Sequence, residues 1–248
     1  MQVGTETTWK SLAMSEYNIM STKTNGTLWA WGSNFMGALG QNQGSGNPAW
    51  NFENGRSSPT QIGTGTDWDR VISCGYAVKT DGSLWKWGNN YNGNLGLNQN
   101  YSELEAASSP VQIPGTNWPA AASGSGGLNG STSIKTDGTL WMWGTNYHGC
   151  YGANVPMSTT NGQVFSSPVQ IPGTTWKQVQ RGDARTVALK TDGTLWYTGN
   201  RWAGLTNPGQ SVPGSQSSPV QIGSETDWIE LGEGELYLGH RALKDTGV

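Results

Sequence analysis

The sequence predicts an all-β fold, and three observations predict it. A Lys-Thr-Asp/Asn-Gly segment begins at Lys23, Lys79, Lys135 and Lys190, with a shortened copy at Lys244, so the lysines stand 56, 56, 55 and 54 residues apart. Each period holds about four apolar runs of strand length, and no window of about 11 residues carries a 3.6-residue apolar stripe. The 248 residues include 37 Gly and 14 Trp, as expected of short strands joined by tight turns and packed through large rings. A steady period of ~55 residues with four strands per unit is the sequence pattern of a β-propeller, in which each blade is a small twisted sheet. Four complete repeats plus a split or incomplete fifth predict about five blades in a single domain spanning residues 1–248.

The second unit shows how each element arises. "DWDRVIS" (67–73) reads as a first strand and "YAVK" (76–79) as a second. Asp81-Gly82 between them and the next strand supplies the positive φ that a tight hairpin requires. "LWKWG" (84–88) returns as the third strand. Trp85 and Trp87 lie two apart and so share one face, while Leu84 and Lys86 share the other. Pro110 opens the fourth strand, as Pro59 does in the first unit, where a missing N–H is tolerated. The same order of anchors places the units at about 9–67, 68–117, 118–175 and 176–227. The remainder, 228–248 with 1–8, forms a partial closing blade, with Gln2-Val3-Gly4 lying beside "WIELG" and "HRALK". The alternative to closure is an arc whose exposed edge pairs with another chain.

Charge narrows the function. The net charge is −3 and only 12% of residues are charged, with no Lys/Arg run to follow a phosphate backbone or an anionic membrane. The first residues, "MQVGTETTWK", lack the basic start and apolar run of an export signal, and no stretch approaches the ~18 apolar residues of a membrane span. The expectation is a soluble protein, in the cytoplasm or in a virus particle. Cys74 and Cys150 fall at different repeat positions and read as separate small packing residues.

The succession Gly-x-Leu-Trp-x-Trp-Gly-x-Asn-x-x-Gly-x-Leu-Gly, then a loop, then Ser-Pro-Val, resembles the repeat of the regulator of chromosome condensation family. "NGTLWAWGSNFMGALG" (25–40) and "DGSLWKWGNNYNGNLG" (81–96) carry the resemblance best, and it extends over essentially the whole chain. It implies a divergent microbial or phage-type member: a propeller whose blades are completed by strands from adjacent repeats. The family's best-known member is a chromatin-bound nucleotide exchange factor. The family's Gly-x-x-His-Ser-x-Ala-Leu segment survives here only in "GHRALK" (239–244), with His240, so no exchange residue carries over.

Candidate sites divide into repeated and unrepeated positions. Asp81, Asp137 and Asp192 recur once per unit, with Asn25 in the first, and read as turn formers, not as a carboxylate set or metal ligands. Trp29, Trp31, Trp85, Trp87, Trp141, Trp143 and Trp196 read as repeat core. Phe35, Tyr91 and Tyr147, each one residue after an Asn, read as packing residues for the same reason. His148 and His240 sit in no catalytic arrangement. Neither a catalytic residue, a metal site nor a cofactor is expected.

Four inserts of variable length, 41–56, 97–108, 153–166 and 206–217, break the repeat on one rim. Loops on a rigid scaffold are where binding resides. Trp50, Phe52, Tyr101 and Phe165 there have no repeat-based packing duty and are the candidate ligand contacts; the alternative is that they fold back over blade edges. The reading is a non-enzymatic binding or structural module, contacting protein or glycan in adhesion or assembly, with a phage tail or fibre part fitting the composition. An exchange-factor-like regulator is the alternative by family analogy. A glycan-cleaving enzyme using Glu53, Glu103 or Glu105 is a third reading. The expected partners are a protein of a larger assembly, a surface glycan, or a second copy bound through an open blade edge, without nucleic acid or membrane insertion.

Overall fold

The computed structural model describes residues 7–43, 54–118, 124–127, 130–155, 163–182, 184–200, 215–232 and 241–244. The strands form successive antiparallel sheets, each following chain order from first strand to last. Blade 1 is β1 (Trp9–Met14), β2 (Asn18–Lys23), β3 (Leu28–Gly32) and β4 (Arg56–Gln61). Blade 2 is β5 (Trp68–Ser73), β6 (Tyr76–Lys79), β7 (Leu84–Asn89) and β8 (Ala106–Gln112). Blade 3 is β9 (Gly124–Gly127), β10 (Gly130–Ile134), β11 (Leu140–Asn146) and β12 (Gln163–Gln170). Blade 4 is β13 (Trp176–Arg181), β14 (Arg185–Lys190), β15 (Leu195–Gly199) and β16 (Gln216–Gln221), and blade 5 is the pair β17 (Trp228–Gly232) and β18 (Arg241–Lys244). The fold is an all-β propeller fold of about five blades.

Two compact units hold these sheets: Met1–Tyr91 with Gln99–Ala120, and Asn92–Asn98 with Ala121–Val248. The first carries blades 1 and 2, the second blades 3 to 5. The proposed closing strand, Gln2-Val3-Gly4, lies outside the described residues.

Alternation sets the faces. Trp9 touches both Trp29 and Trp31, at 6.1 and 5.9 Å between ring centroids, so the two indoles of "LWAW" share one face of blade 1. Trp68 does the same with Trp85 and Trp87. The opposite face carries Leu28 and Ala30, or Leu84 and Lys86, all buried.

Within each unit the next blade covers the face opposite the indoles. In the first unit the Val71 N–H donates to Ser11 Oγ at 3.1 Å and the Thr22 hydroxyl to the Asp69 carbonyl at 3.2 Å. In the second, Ile134, Leu140 and Met142 of blade 3 pack on Trp176, Val179 and Ala188 of blade 4. Val187, Leu189, Leu195 and Tyr197 of blade 4 then pack on Leu231 of blade 5. Burying an aliphatic side chain of this kind contributes about 1.5–3 kcal/mol relative to its exposure.

The fourth strands differ from the sequence expectation. Pro59 and Pro110 lie inside β4 and β8 rather than at their starts. The ladder is broken there: Ala30 pairs Thr60 while Gly32 pairs Arg56, and Lys86 pairs Val111 while Gly88 pairs Ala107. Blades 3 and 4 repeat the shift. The Ser-Ser-Pro segment therefore bulges out of each outer strand, which accommodates a proline without an N–H and frees serine groups for other partners.

Candidate functional site

The conserved-looking repeat segments are self-contained boxes. Asp81 Oδ1 accepts from the Ser83 N–H and hydroxyl at 2.8 and 2.6 Å, and Ser83 Oγ in turn accepts from the Trp85 indole at 2.8 Å. Asp137–Thr139–Trp141 and Asp192–Thr194–Trp196 repeat the chain of bonds, and Asn25–Thr27–Trp29 makes it with an amide oxygen. The bonds from Ser83, Thr139 and Thr194 hold the three Asp carboxyls below their usual pKa, because only the ionised form accepts fully. The box lysines lie over rings of their own blades: Lys23 is 3.7 Å from the Trp29 centroid and 4.6 Å from that of Trp9, and Lys190 stands similarly over Trp196 and Trp176. Such contacts contribute about 0.5–2 kcal/mol each. These side chains hydrogen-bond one another, one box in each of blades 1 to 4.

A second repeated device links blades, and sequence reading missed it. Asn42, Asn98 and Asn154, at φ of 55°, 58° and 57°, close the Gly-x-Leu/Tyr-Gly-x-Asn turn. Their N–H groups donate to the carbonyls of Ser108, Ser166 and Ser217 at 2.7–2.8 Å. Their Oδ1 atoms accept from the hydroxyls of Ser109, Ser167 and Ser218 at 3.0–3.2 Å. The serines are those of the bulges, so each turn grips the outer strand of the following blade. The recurring spacing of Gly40/Asn42, Gly96/Asn98 and Gly152/Asn154 was the available signal.

The unrepeated rim supplies the candidate contact surface. Trp50, Phe52, Glu53, Trp202 and His240 lie outside the described residues. Phe165 is half-buried against Tyr151, with ring centroids 5.7 Å apart. Tyr101 stands differently. It is 36% exposed and meets the 56% exposed Tyr91 edge to face at 5.4 Å. Tyr91 thus departs from the packing role expected of a once-per-blade ring: Phe35 and Tyr147 are half-buried at the same repeat position.

The loop under this pair is built from below. The fully buried Asn90 amide donates to the carbonyls of Gln99 and Leu104 at 3.1 and 2.8 Å. Glu103 Oε2 accepts the Asn100 N–H at 2.8 Å, and Glu105 Oε1 accepts the Tyr101 hydroxyl at 2.7 Å. That last bond raises the Tyr101 pKa, since the carboxylate favours the protonated phenol. Glu103 and Glu105 are thus both engaged in holding the loop. The result is a fixed aromatic step flanked by carboxylates, a surface suited to a protein partner.

Other chemistry has less support. A cleft of about 300 Å³ between blades 1 and 2 is lined by Gln41, Asn42, Trp68, Lys79 and Ser109. Its polar groups are already engaged, Gln41 with the Gln61 carbonyl and Lys79 with Asp67. His148 sits at φ 52° in the turn after β11. Among the described residues no three His, Cys, Asp or Glu side chains gather as a metal site.

Residues 81–127 match the family model of the regulator of chromosome condensation (RCC1) repeat. The chain thus carries a segment that matches the RCC1 repeat. The matched RCC1 repeat opens at the Asp81 turn and runs through β7 and β8 into β9, so in that phase the strands of one sheet come from two successive repeats. Over 226 residues the chain is 27% identical to the RCC1 domain-containing protein RUG3, mitochondrial, of Arabidopsis thaliana, covering 88% of this chain and 47% of that protein. It is 28% identical to the probable E3 ubiquitin-protein ligase HERC6 of Homo sapiens over 188 residues, 72% of this chain and 17% of that one. Human WBSCR16 superposes with a TM-score of 0.64 at 19% identity over 93% of this chain and 56% of its own. Yeast RCC1 (Prp20), solved bound to Kap60, gives 0.66 at 19% over 89% and 50%. The chain therefore spans about half the length of these propellers and less of HERC6. Among the described residues no helix is long and apolar enough to cross a membrane.

Proposed function

We propose that this RCC1-repeat chain is a non-enzymatic protein-binding module whose contact surface is the rim loop of blade 2. The observation that carries the reading is the Tyr91–Tyr101 pair: two rings left exposed on a loop that the buried Asn90 holds rigid. Aromatic side chains ordered before binding lose little entropy on association and supply much of the energy of a protein interface. A binding or regulatory role is the common ground of RCC1-like propellers. A solved yeast neighbour, Prp20p, is described with its binding to Gsp1p and histones.

The experiment is site-specific photocrosslinking. A crosslinker at Tyr101 captures a discrete partner, identified by mass spectrometry, and the Tyr91→Ala/Tyr101→Ala double variant loses binding of the purified partner at least tenfold while its thermal unfolding is unchanged. Partner binding that survives the double variant places the contact elsewhere. Acceleration of nucleotide release from a small GTPase, lost in the same variant, would make the module a regulator; binding on a glycan array without a protein partner would overturn the reading.

A further inference from the structure

The loop that carries Tyr101 is folded tightly by its own polar groups. Asn100 Oδ1 accepts the Ser102 N–H and hydroxyl at 2.9 and 2.6 Å, and the Asn100 carbonyl accepts the N–H groups of Glu103 and Leu104 at 3.1 and 3.0 Å. The Asn90 N–H donates to the Glu105 carbonyl at 2.9 Å, and Asn89 Oδ1 accepts the Tyr91 N–H at 2.6 Å. These bonds fix the backbone under Tyr91, Tyr101, Glu103 and Glu105.

Two independent features of that step stay open. The rings meet at 71°, and in an edge-to-face pair neither ring covers more than one face of the other, so aromatic surface is left for a third group. The carboxylates each spend one oxygen inside the loop, Glu103 on the Asn100 N–H and Glu105 on the Tyr101 hydroxyl, and keep the other at an exposed position. Asp67, Asp69, Glu225 and Asp227 have lysine partners, whereas among the described residues Glu103 and Glu105 have no cation within ion-pair reach.

We propose, resting on the reading of this rim as the contact surface, that the partner presents an arginine-bearing basic segment, one guanidinium lying on the Tyr91–Tyr101 step and donating to the Glu103 and Glu105 carboxylates. A guanidinium is flat, weakly hydrated and rich in N–H donors, so it stacks on an aromatic face and bonds a carboxylate in its plane at once. A compact, strongly hydrated ammonium satisfies the carboxylates but gives up the stacking. The net charge of −3 favours encounter with a basic partner over an acidic one.

The test is selection of random dodecapeptides, displayed on phage, against the full chain, followed by titration of synthetic copies of the selected peptides by fluorescence anisotropy. The selected peptides carry arginine, and their binding weakens by roughly tenfold from low to physiological salt, because exposed charges are screened. Glu103→Gln/Glu105→Gln keeps an acceptor for the Asn100 N–H and the Tyr101 hydroxyl, so thermal unfolding is unchanged, yet it weakens binding by about tenfold. Tyr91→Ala/Tyr101→Ala weakens it at least as much, and lysine in place of the peptide arginine by roughly fivefold. Peptides that need the tyrosines but carry no arginine, or that bind the glutamine variant as well as wild type, overturn the arginine proposal and leave the rim as the contact surface. Peptides indifferent to the tyrosine variant overturn both. A selection that yields no binder overturns the proposal and leaves the rim to the crosslinking experiment.

Discussion

The Thr198 hydroxyl donates to the Cys150 carbonyl at 2.5 Å, taking the role that the Trp87 and Trp143 indoles play toward the carbonyls of Ala38 and Asn94 at 3.1 and 3.0 Å. The fourth repeat has exchanged a ring for a hydroxyl at this position yet kept the donor. The ring reappears one step away. Tyr151 stands on the turn where the other copies have Leu39 and Leu95, fully buried and packed on Phe165. The carbonyl must be satisfied because Cys150 is fully buried.

Replacing Thr198 by Val keeps the shape and removes the donor, which leaves a buried carbonyl without its partner and costs about 1–3 kcal/mol. Thr198→Ser retains the O–H and costs less. Urea unfolding of both variants checks the order; equal midpoints for Val and wild type would show that the bond contributes nothing.

Glycine is required at the box turn for two separable reasons. Gly193 has φ +78°, and a Cβ there would lie 2.0 Å from the Thr226 carbonyl oxygen of the next segment. Gly63 has φ +60° with nothing within 4 Å of a Cβ. Gly63→Ala therefore bears only the left-handed backbone penalty, about 1–2 kcal/mol. Gly193→Ala adds an overpacking cost of roughly 1–3 kcal/mol. Thermal unfolding of the pair should separate them by several degrees, Gly193→Ala lower; similar losses would mean that the turn shifts freely.

The Asn-x-x-Gly turns hold a left-handed residue at Met36, Asn92 and His148, with φ of 54°, 63° and 52°. Asparagine tolerates that backbone far better than methionine. Met36→Asn, which copies the second repeat into the first, is expected to raise stability by about 0.5–1 kcal/mol. A loss in chemical denaturation would show that Met36 makes packing contacts worth more than the backbone relief.

The box carboxyls link stability to pH. Asp81, Asp137 and Asp192 have folded pKa values below the usual 3.8, chiefly through the hydrogen bonds from Ser83, Thr139 and Thr194. A depressed folded pKa contributes stability that is present above the unfolded value and lost as pH falls through the folded one. The midpoint of thermal unfolding should thus fall more steeply below about pH 4 in the wild type than in Asp81→Asn/Asp137→Asn/Asp192→Asn, since Asn25 already makes the same bonds without titrating. Parallel curves for the two proteins down to pH 2.5 would refute the linkage.

Local chemistry was legible in the sequence wherever it repeated. The Asp-Gly turns, the shared face of Trp85 and Trp87 and the four strands per unit all follow from period-two alternation and from glycine's freedom at positive φ. These are properties of a few adjacent residues, and the spacing of the lysines multiplied them into blades. What a residue meets across space was not written that way. Ser-Pro reads as a strand start in isolation; only the clasp from Asn42, Asn98 and Asn154 shows why it bulges. Tyr91 and Phe35 occupy one repeat position and read alike, yet one is exposed on a loop that Asn90 fixes and the other is half-buried. Periodicity reports backbone geometry and the direction of each side chain; burial is a property of the partner surface, and that was decided in three dimensions.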